Sequence, residues 1–140
     1  MNLFDILRDN LSVNPDSPEW KSTIMQLKVV LKYEPDTLEC TSAFALKFTQ
    51  SDLLDEKMFS DRAGYVIFTV KGAILLAPSK EELPLVATLT SKDIKSIEAT
   101  KKLTKAIVTV RTNNHIYDFK VSKKDGDEFE KQLNKARNMR

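Results

Sequence analysis

The chain has few of the residues on which catalytic and metal sites depend. Its 140 residues include one cysteine, one histidine and three glycines. One histidine and one cysteine cannot supply an ordinary zinc site. The glycines, at positions 64, 72 and 126, stand too far apart for a phosphate-binding loop. These scarcities lead us to expect no cofactor and no metal.

A catalytic centre is not expected either. Nucleophilic catalysis needs a nucleophile, a base and an orienting group at one place. Cys40 falls on a predicted strand, where a free cysteine usually behaves as a small buried hydrophobe. His115 falls at the end of a predicted hairpin. We therefore expect neither an enzyme nor a site for a small-molecule substrate.

Long apolar runs and cysteine pairs are absent too, and both absences bear on location. No run approaches the ~20 apolar residues of a membrane-spanning helix. Residues 1–8 lack the basic start and the apolar segment of a signal peptide. A lone cysteine cannot form an internal disulfide, which favours a reducing compartment. We expect a cytoplasmic protein, and association with a membrane surface stays open.

The net charge of +2 conceals a difference between the two halves of the chain. Residues 1–70 carry seven basic and 11 acidic side chains, a net charge of −4, whereas residues 71–140 carry 15 and nine, a net charge of +6. A basic half can attract an anionic partner, although lysines also fill ordinary solvent-exposed faces. Four lysines form the predicted anionic-ligand patch: Lys101, Lys102, Lys105 and Lys120.

The N-terminal part, residues 1–34, is predicted to be a helical extension. Apolar residues at helical spacing predict one helix over residues 2–11 and another over residues 18–33. Ser17 is the predicted N-cap of the second helix. Each helix has an apolar face that packs on the same chain or on a second copy, and the sequence leaves that choice open. The side chains predicted to bind a protein come from these faces: Leu3, Phe4, Leu7 and Trp20.

Residues 35–140 are predicted to form one domain of seven strands and a C-terminal helix. Apolar segments that alternate or run together predict strands at residues 39–48, 64–70, 73–78, 85–90, 94–100, 103–111 and 115–121. Residues 51–62 are predicted to form an acidic loop or a short helix. The last helix is predicted to begin with Asp125 as its N-cap and to bury Phe129, Leu133 and Ala136.

This order of elements resembles the pleckstrin-homology-like (PH-like) barrel, in which a C-terminal helix closes two nearly orthogonal antiparallel sheets. Spaced residues carry the likeness: Gly64, Thr69, Lys71, Ile94, Ile97, Lys123, Lys124, Asp125 and Phe129. Their pattern is similar to that of the bacterial PH-domain group, which includes the YokE-like and GRAM-like families. The resemblance implies an α+β fold and a scaffold or binding role without catalysis.

The chain departs from this resemblance in the loop between the first two strands. PH domains that bind phosphoinositides cluster lysine and arginine there. Here four carboxylates face only two basic side chains: Asp52, Asp55, Glu56 and Asp61 against Lys57 and Arg62. An acidic loop repels a polyphosphate headgroup, so we do not expect headgroup recognition at this loop.

Three functions follow, in decreasing order of preference. The first is a non-catalytic PH-like module that binds a protein through a sheet edge or the N-terminal helices, or that self-associates into a homo-oligomer. The second is a peripheral membrane adaptor that binds anionic lipid through the basic half. The third, nucleic-acid binding, is the least favoured because aromatic residues interleaved with basic ones are not evident.

Overall fold

The computed structural model describes residues 1–32, 34–54, 58–79 and 83–139. Two helices, α1 (Leu3–Leu11) and α2 (Pro18–Leu31), precede a 3-10 turn at Pro35–Thr37. Within the described residues seven strands follow: β1 (Cys40–Asp52), β2 (Met58–Thr69), β3 (Gly72–Ala77), β4 (Leu85–Leu89), β5 (Ser96–Lys101), β6 (Lys105–Arg111) and β7 (His115–Ser122). Helix α3 (Lys123–Arg137) comes last. The predicted α+β order of two helices, seven strands and one helix is confirmed.

All strand pairs are antiparallel, and the strand order is β4-β3-β2-β1-β7-β6-β5. The long strand β1 pairs with β2 and, through residues 47–52, also with β7. It therefore joins the two predicted sheets into one. Seven antiparallel strands in this order, with the C-terminal helix packed on them, give the chain a PH-like fold.

The main core lies inside this curved sheet and is closed by α3. Alternate residues of β6 and β7 point inward, among them Val108, Val110 and Phe119. The ring of Phe129 on α3 lies 5.3, 5.7 and 5.4 Å from the rings of three core phenylalanines, Phe44, Phe68 and Phe119. Leu133 and Ala136 are buried beside it. The predicted buried face of the last helix is confirmed.

The start of α3 differs from the prediction. Its N-cap is Ser122, whose side chain accepts a hydrogen bond from the Asp125 backbone N–H at 3.2 Å. Asp125 therefore lies inside the first turn, where an acidic side chain still interacts favourably with the helix dipole. Gly126 lets the helix approach β6, because a Cβ at this position would lie 2.8 Å from the Ala106 Cβ.

A second hydrophobic cluster lies on the outer face of the sheet, under α1 and α2. Leu7, Trp20 and Leu27 from the helices pack against Ile67 and Leu76 from the strands. Strand β3 is consequently buried on both faces over its whole length, which explains its unbroken apolar sequence. The helices dock on their own sheet, and the predicted domain boundary at residue 34 stays a prediction.

The prediction of a loop or short helix over residues 51–62 is wrong in part. β1 continues to Asp52, and β2 already begins at Met58. Pairing with β7 extends β1 through polar residues that the sequence pattern did not identify as strand. Residues 55–57, which include Asp55, Glu56 and Lys57, lie outside the described residues.

Candidate interaction surfaces

The residues predicted to bind a protein partner lie mostly inside the molecule. Leu3 and Leu7 are fully buried, and Trp20 is 4% exposed, with its ring 5.4 Å from that of Tyr65. Phe4 is half-buried. A binding role for these side chains stays a prediction, and it would require α1 and α2 to leave the sheet.

The opposite side of α2 carries exposed apolar side chains. Met25 and Val29, one helical turn apart, are 68% and 70% exposed. Val30 follows directly at 36%. We call these three residues the α2 stripe. Single exposed apolar side chains are common, but a group of them on one helix points to an interaction surface, because covering each one gains about 1.5–3 kcal/mol of burial free energy.

An apolar groove of about 230 Å³ begins where the α2 stripe ends. Its walls come from the end of α2, the start of β3 and the end of β4: Val30, Leu31, Leu38, Gly72, Ala73, Ile74 and Leu89, with polar residues at the margin. Gly72 has a φ of +142°, and a Cβ there would lie 2.3 Å from the Leu89 carbonyl oxygen. The groove therefore depends on a glycine at this position.

Three of the four predicted anionic-patch lysines lie together at the β5–β6 turn. Lys101, Lys102 and Lys105 are exposed around Leu103, which is 88% exposed. The turn is closed by a hydrogen bond from the Lys102 N–H to the Lys105 carbonyl at 2.8 Å. We call residues 101–105 the basic tip. In this turn the apolar side chain of Leu103 projects into solvent between three positively charged side chains.

Two neighbouring features modify the charge of the basic tip. Lys101 is paired with Asp127 of α3 at 3.1 Å, but both side chains are largely exposed, so this pair neutralises little. Lys123 and Lys124 at the start of α3 are exposed nearby, since Ser122 pairs with Lys105 across the sheet. Added to the positive end of the α3 dipole, they keep the tip positive.

Lys120, the fourth predicted lysine, does not share the exposed turn. It lies on the outer face of β7, opposite Ile107 of β6 and Lys47 of β1. Its ammonium group pairs with the carboxylate of Asp61 on β2. The charge of Lys120 is thus compensated within the chain, and only part of the predicted patch is available to an anion.

A polar cavity of about 160 Å³ opens near the turn between β6 and β7. Asp93, Asn113, His115 and Tyr117 are among the residues of its wall. The His115 Nδ1 lies 2.5 Å from the Asp52 Oδ1 and 3.1 Å from the Gln50 Nε2. Tyr117 is 3% exposed, and burial, together with the charges of Asp52 and Asp93, raises its pKa to about 12. We call this feature the rim cavity.

The described residues do not assemble a nucleophilic or metal centre. Burial raises the pKa of the Cys40 thiol to about 11, so the thiol is protonated at neutral pH. Cys40 begins β1, whereas His115 contacts Asp52 at its other end. In the described part of the chain no three histidine, cysteine or carboxylate side chains converge as metal ligands. Neither does any described helix have the length and apolar character needed to cross a membrane.

Sequence reasoning identified the basic tip lysines but missed two exposed apolar elements, the α2 stripe and Leu103. The sequence placed a single apolar stripe on the second helix, although Met25 and Val29 stand at helical spacing on another face. Leu103 was counted as the start of a strand. The signal in both cases was a large apolar side chain out of phase with the buried pattern.

Comparisons with known proteins add little to this geometry. No protein-family model and no curated protein matches the chain. It is similar to a solved structure that concerns the PH and C1 domains of the Vav1 exchange factor, at 11% sequence identity and a TM-score of 0.48. The match covers 70% of this chain and 25% of that one, so the chain spans about a quarter of its length. A likeness at this level says nothing about ligands, and the PH-like assignment rests on strand order and the C-terminal helix.

Proposed function

We propose that the chain is a non-catalytic PH-like binding module that holds a protein partner on α2. The observation that supports this proposal is the α2 stripe, whose exposed side chains lead directly into an apolar groove. Contiguous exposed apolar surface next to polar residues is typical of interaction sites.

The shape of this surface favours a protein over a lipid bilayer or a small molecule. A partner helix or loop can cover Met25 and Val29 and insert one apolar side chain into the groove beside Val30. Anchors in such pockets supply much of the binding energy at protein interfaces. A bilayer offers no single projecting side chain, and a small molecule would leave the stripe uncovered.

Charge indicates the chemistry of the partner. Exposed Lys21, Lys28 and Lys32 follow one flank of the stripe, and among the described residues only Lys28 of these three has a carboxylate partner, Glu34 at 3.3 Å. Complementary charge speeds association and suppresses wrong partners. We therefore propose an acidic amphipathic helix as the partner element. Two copies of this face would bring lysines together, which disfavours a homo-oligomer built on it.

Binding of a designed helical peptide tests this function. The probe is an acidic amphipathic peptide of leucine and glutamate, and its matched control replaces glutamate with lysine. We expect the acidic peptide to bind, and the double substitution Met25→Ser, Val29→Ser to weaken it at least about tenfold. Fluorescence anisotropy measures both affinities. The variant Leu103→Ser controls for loss of apolar surface elsewhere.

Three outcomes would overturn this proposal. The first is failure of the acidic peptide to bind, and the second is equal binding of the lysine peptide. The third is concentration-dependent dimerisation in sedimentation velocity that disappears in the double variant. That last result would assign the α2 stripe to a second copy of the chain.

Three finer assignments accompany this proposal. Membership of the bacterial PH-like group with YokE-like and GRAM-like relatives rests on the spaced residues from Gly64 to Phe129. A scaffold role fits a chain whose described residues bring no catalytic groups together. A cytoplasmic location fits a single buried cysteine that forms no internal disulfide.

The basic tip supports a second candidate function, peripheral binding to an anionic membrane. A projecting Leu103 can enter the interface between headgroups and acyl chains while Lys101, Lys102 and Lys105 meet anionic headgroups. Each lysine near such a surface contributes about 1 kcal/mol. Unlike the groove, this surface is convex and needs no inserted anchor.

Vesicle sedimentation tests the second candidate. We expect salt-sensitive binding to phosphatidylcholine vesicles that contain phosphatidylserine, and none to pure phosphatidylcholine. Substitution of Lys101, Lys102 and Lys105 by Gln should abolish binding, and Leu103→Ser should weaken it. Lys120→Gln is the matched control, since Asp61 already compensates that charge. No binding at low salt, or binding only to a DNA duplex, would overturn the membrane role.

A further inference from the structure

We infer that the rim cavity is a recognition site for the guanidinium group of an arginine side chain carried by a partner. The inference stands apart from the proposals for α2 and for the basic tip, because the polar groups that it uses belong to neither surface, although Thr88 and Leu89 line both the groove and the rim cavity. It rests on the walls of the cavity, on the hydroxyl of one buried tyrosine, unpartnered among the described residues, and on one carboxylate oxygen.

The hydroxyl belongs to Tyr117. This residue is 97% buried, and its ring stacks on that of Phe119 at 5.9 Å, which fixes its position in the wall of the cavity. Within the described residues the hydroxyl has no hydrogen-bond partner. The side chain is otherwise enclosed, so a hydroxyl in a cavity wall that has no protein partner is available to bond to a ligand or to solvent.

The carboxylate belongs to Asp93. Its Oδ2 accepts hydrogen bonds from the Thr90 N–H at 2.8 Å and the Thr90 hydroxyl at 3.0 Å. These bonds hold the carboxylate still, while Oδ1 has no partner in the described part of the chain. A fixed carboxylate with one unused oxygen favours a cation and a hydrogen-bond donor.

The surroundings exclude anions and favour a flat group with several donors. Asp52 adds a second carboxylate beside the cavity, held against His115. Asn113 and Asn114 supply amide groups at the mouth of the cavity. A guanidinium group has five N–H donors in one plane, which suits a wall that offers a carboxylate oxygen, a hydroxyl and amide oxygens. An ammonium group is more strongly hydrated and has fewer donors.

NMR titration with amino-acid amides tests this inference. The probes are N-acetyl-arginine amide and its neutral isostere N-acetyl-citrulline amide, with N-acetyl-lysine amide as a second cation. We expect saturable shifts of Asn113, Asn114 and Tyr117 resonances with the arginine probe. Citrulline should give none, and lysine should bind at least about fivefold more weakly.

The variant Tyr117→Phe removes only the hydroxyl and keeps the stacked ring. We expect it to weaken binding of the arginine probe about fivefold, the loss of one hydrogen bond. Tyr65→Phe is the matched control, because Tyr65 packs against Trp20 away from the rim cavity and should have no effect. Unchanged affinity in Tyr117→Phe, equal binding of lysine, or no saturable shift would overturn the inference.

Discussion

The α2 stripe and the basic tip both expose apolar side chains, but the chain supports them in opposite ways. The stripe lies on a helix whose other face is buried against the sheet, next to a groove that depends on a glycine. The tip is a short turn between β5 and β6, in which lysines surround Leu103. One surface is concave and coupled to a core, whereas the other is convex and independent of it. Mutations that alter the groove should therefore change both the free energy of unfolding and binding. Mutations at the basic tip should change binding with little effect on the free energy of unfolding.

Loss of the helix anchor should have the largest effect. Trp20→Ala removes a side chain that is 4% exposed in the cluster under α2. We expect the free energy of unfolding to fall by about 3–5 kcal/mol, the range for large aromatic residues in cores. Urea denaturation followed by circular dichroism measures it. A loss below about 1 kcal/mol would mean that α2 is not anchored on the sheet.

A methyl group at the floor of the groove should have the next largest effect. Gly72→Ala places a Cβ in contact with the Leu89 carbonyl and forces alanine into a left-handed conformation. We expect a loss of about 2–3 kcal/mol in unfolding free energy. Chemical denaturation checks this value, and weaker binding of the acidic peptide should accompany it. Gly126→Ala, in which the added methyl meets the side chains of Ala106 and Val121 and no backbone carbonyl, is the comparison variant.

Alkaline pH should lower the stability of the chain through Cys40, which lies in the hydrophobic cluster under α1 and α2. Because burial raises the pKa of the Cys40 thiol from its ordinary value of 9.0 to about 11, the unfolded chain loses this proton first. Stability from this group is therefore present below pH 9 and is lost as the pH rises toward 11. Between pH 8 and pH 10.5 we expect the free energy of unfolding to fall less in Cys40→Ala than in the unsubstituted chain. Equal losses would show that the thiol is solvated.

The smallest effects on stability are expected at the exposed side chains themselves. Met25→Ser, Val29→Ser and Leu103→Ser should each change the free energy of unfolding by no more than about 0.5 kcal/mol, as is usual for surface positions. Thermal unfolding by calorimetry provides the comparison. A large loss at Met25 or Val29 would show that the α2 stripe is covered within the chain and is not a binding surface.

Much of the fold could be predicted because its signals are local. The apolar run after Gly72 and the alternation in residues 105–111 and 115–122 each indicate a strand without reference to the rest of the chain. The end of β1 could not be predicted in this way. Its residues 49–52 are polar, and all four pair with β7 residues more than 60 positions away, while Gln50 and Ser51 also pair with the start of β2.

The interaction surfaces were harder to predict than the fold. Trp20 and Met25 lie on the same helix and are both large and apolar, yet one is buried and the other is exposed. Only the direction from which the sheet approaches decides between them. The lysines of the basic tip were predicted from the positive charge of residues 71–140, which can be read from the sequence without knowing where the turn lies. The pairing of Lys120 with Asp61 depends on register across three strands and was not visible in the sequence.

The position of β1 in the middle of the strand order has a consequence for biosynthesis. Its second half pairs with residues 115–120, which leave the ribosome long after residues 47–52. During synthesis the early strands can pair among themselves, but one side of the second half of β1 stays open until residues 115–120 have emerged. Contacts of such sequence separation slow folding and leave strand edges open to wrong partners. A nascent chain that stalls before β7 should therefore be the form of this protein that chaperones engage.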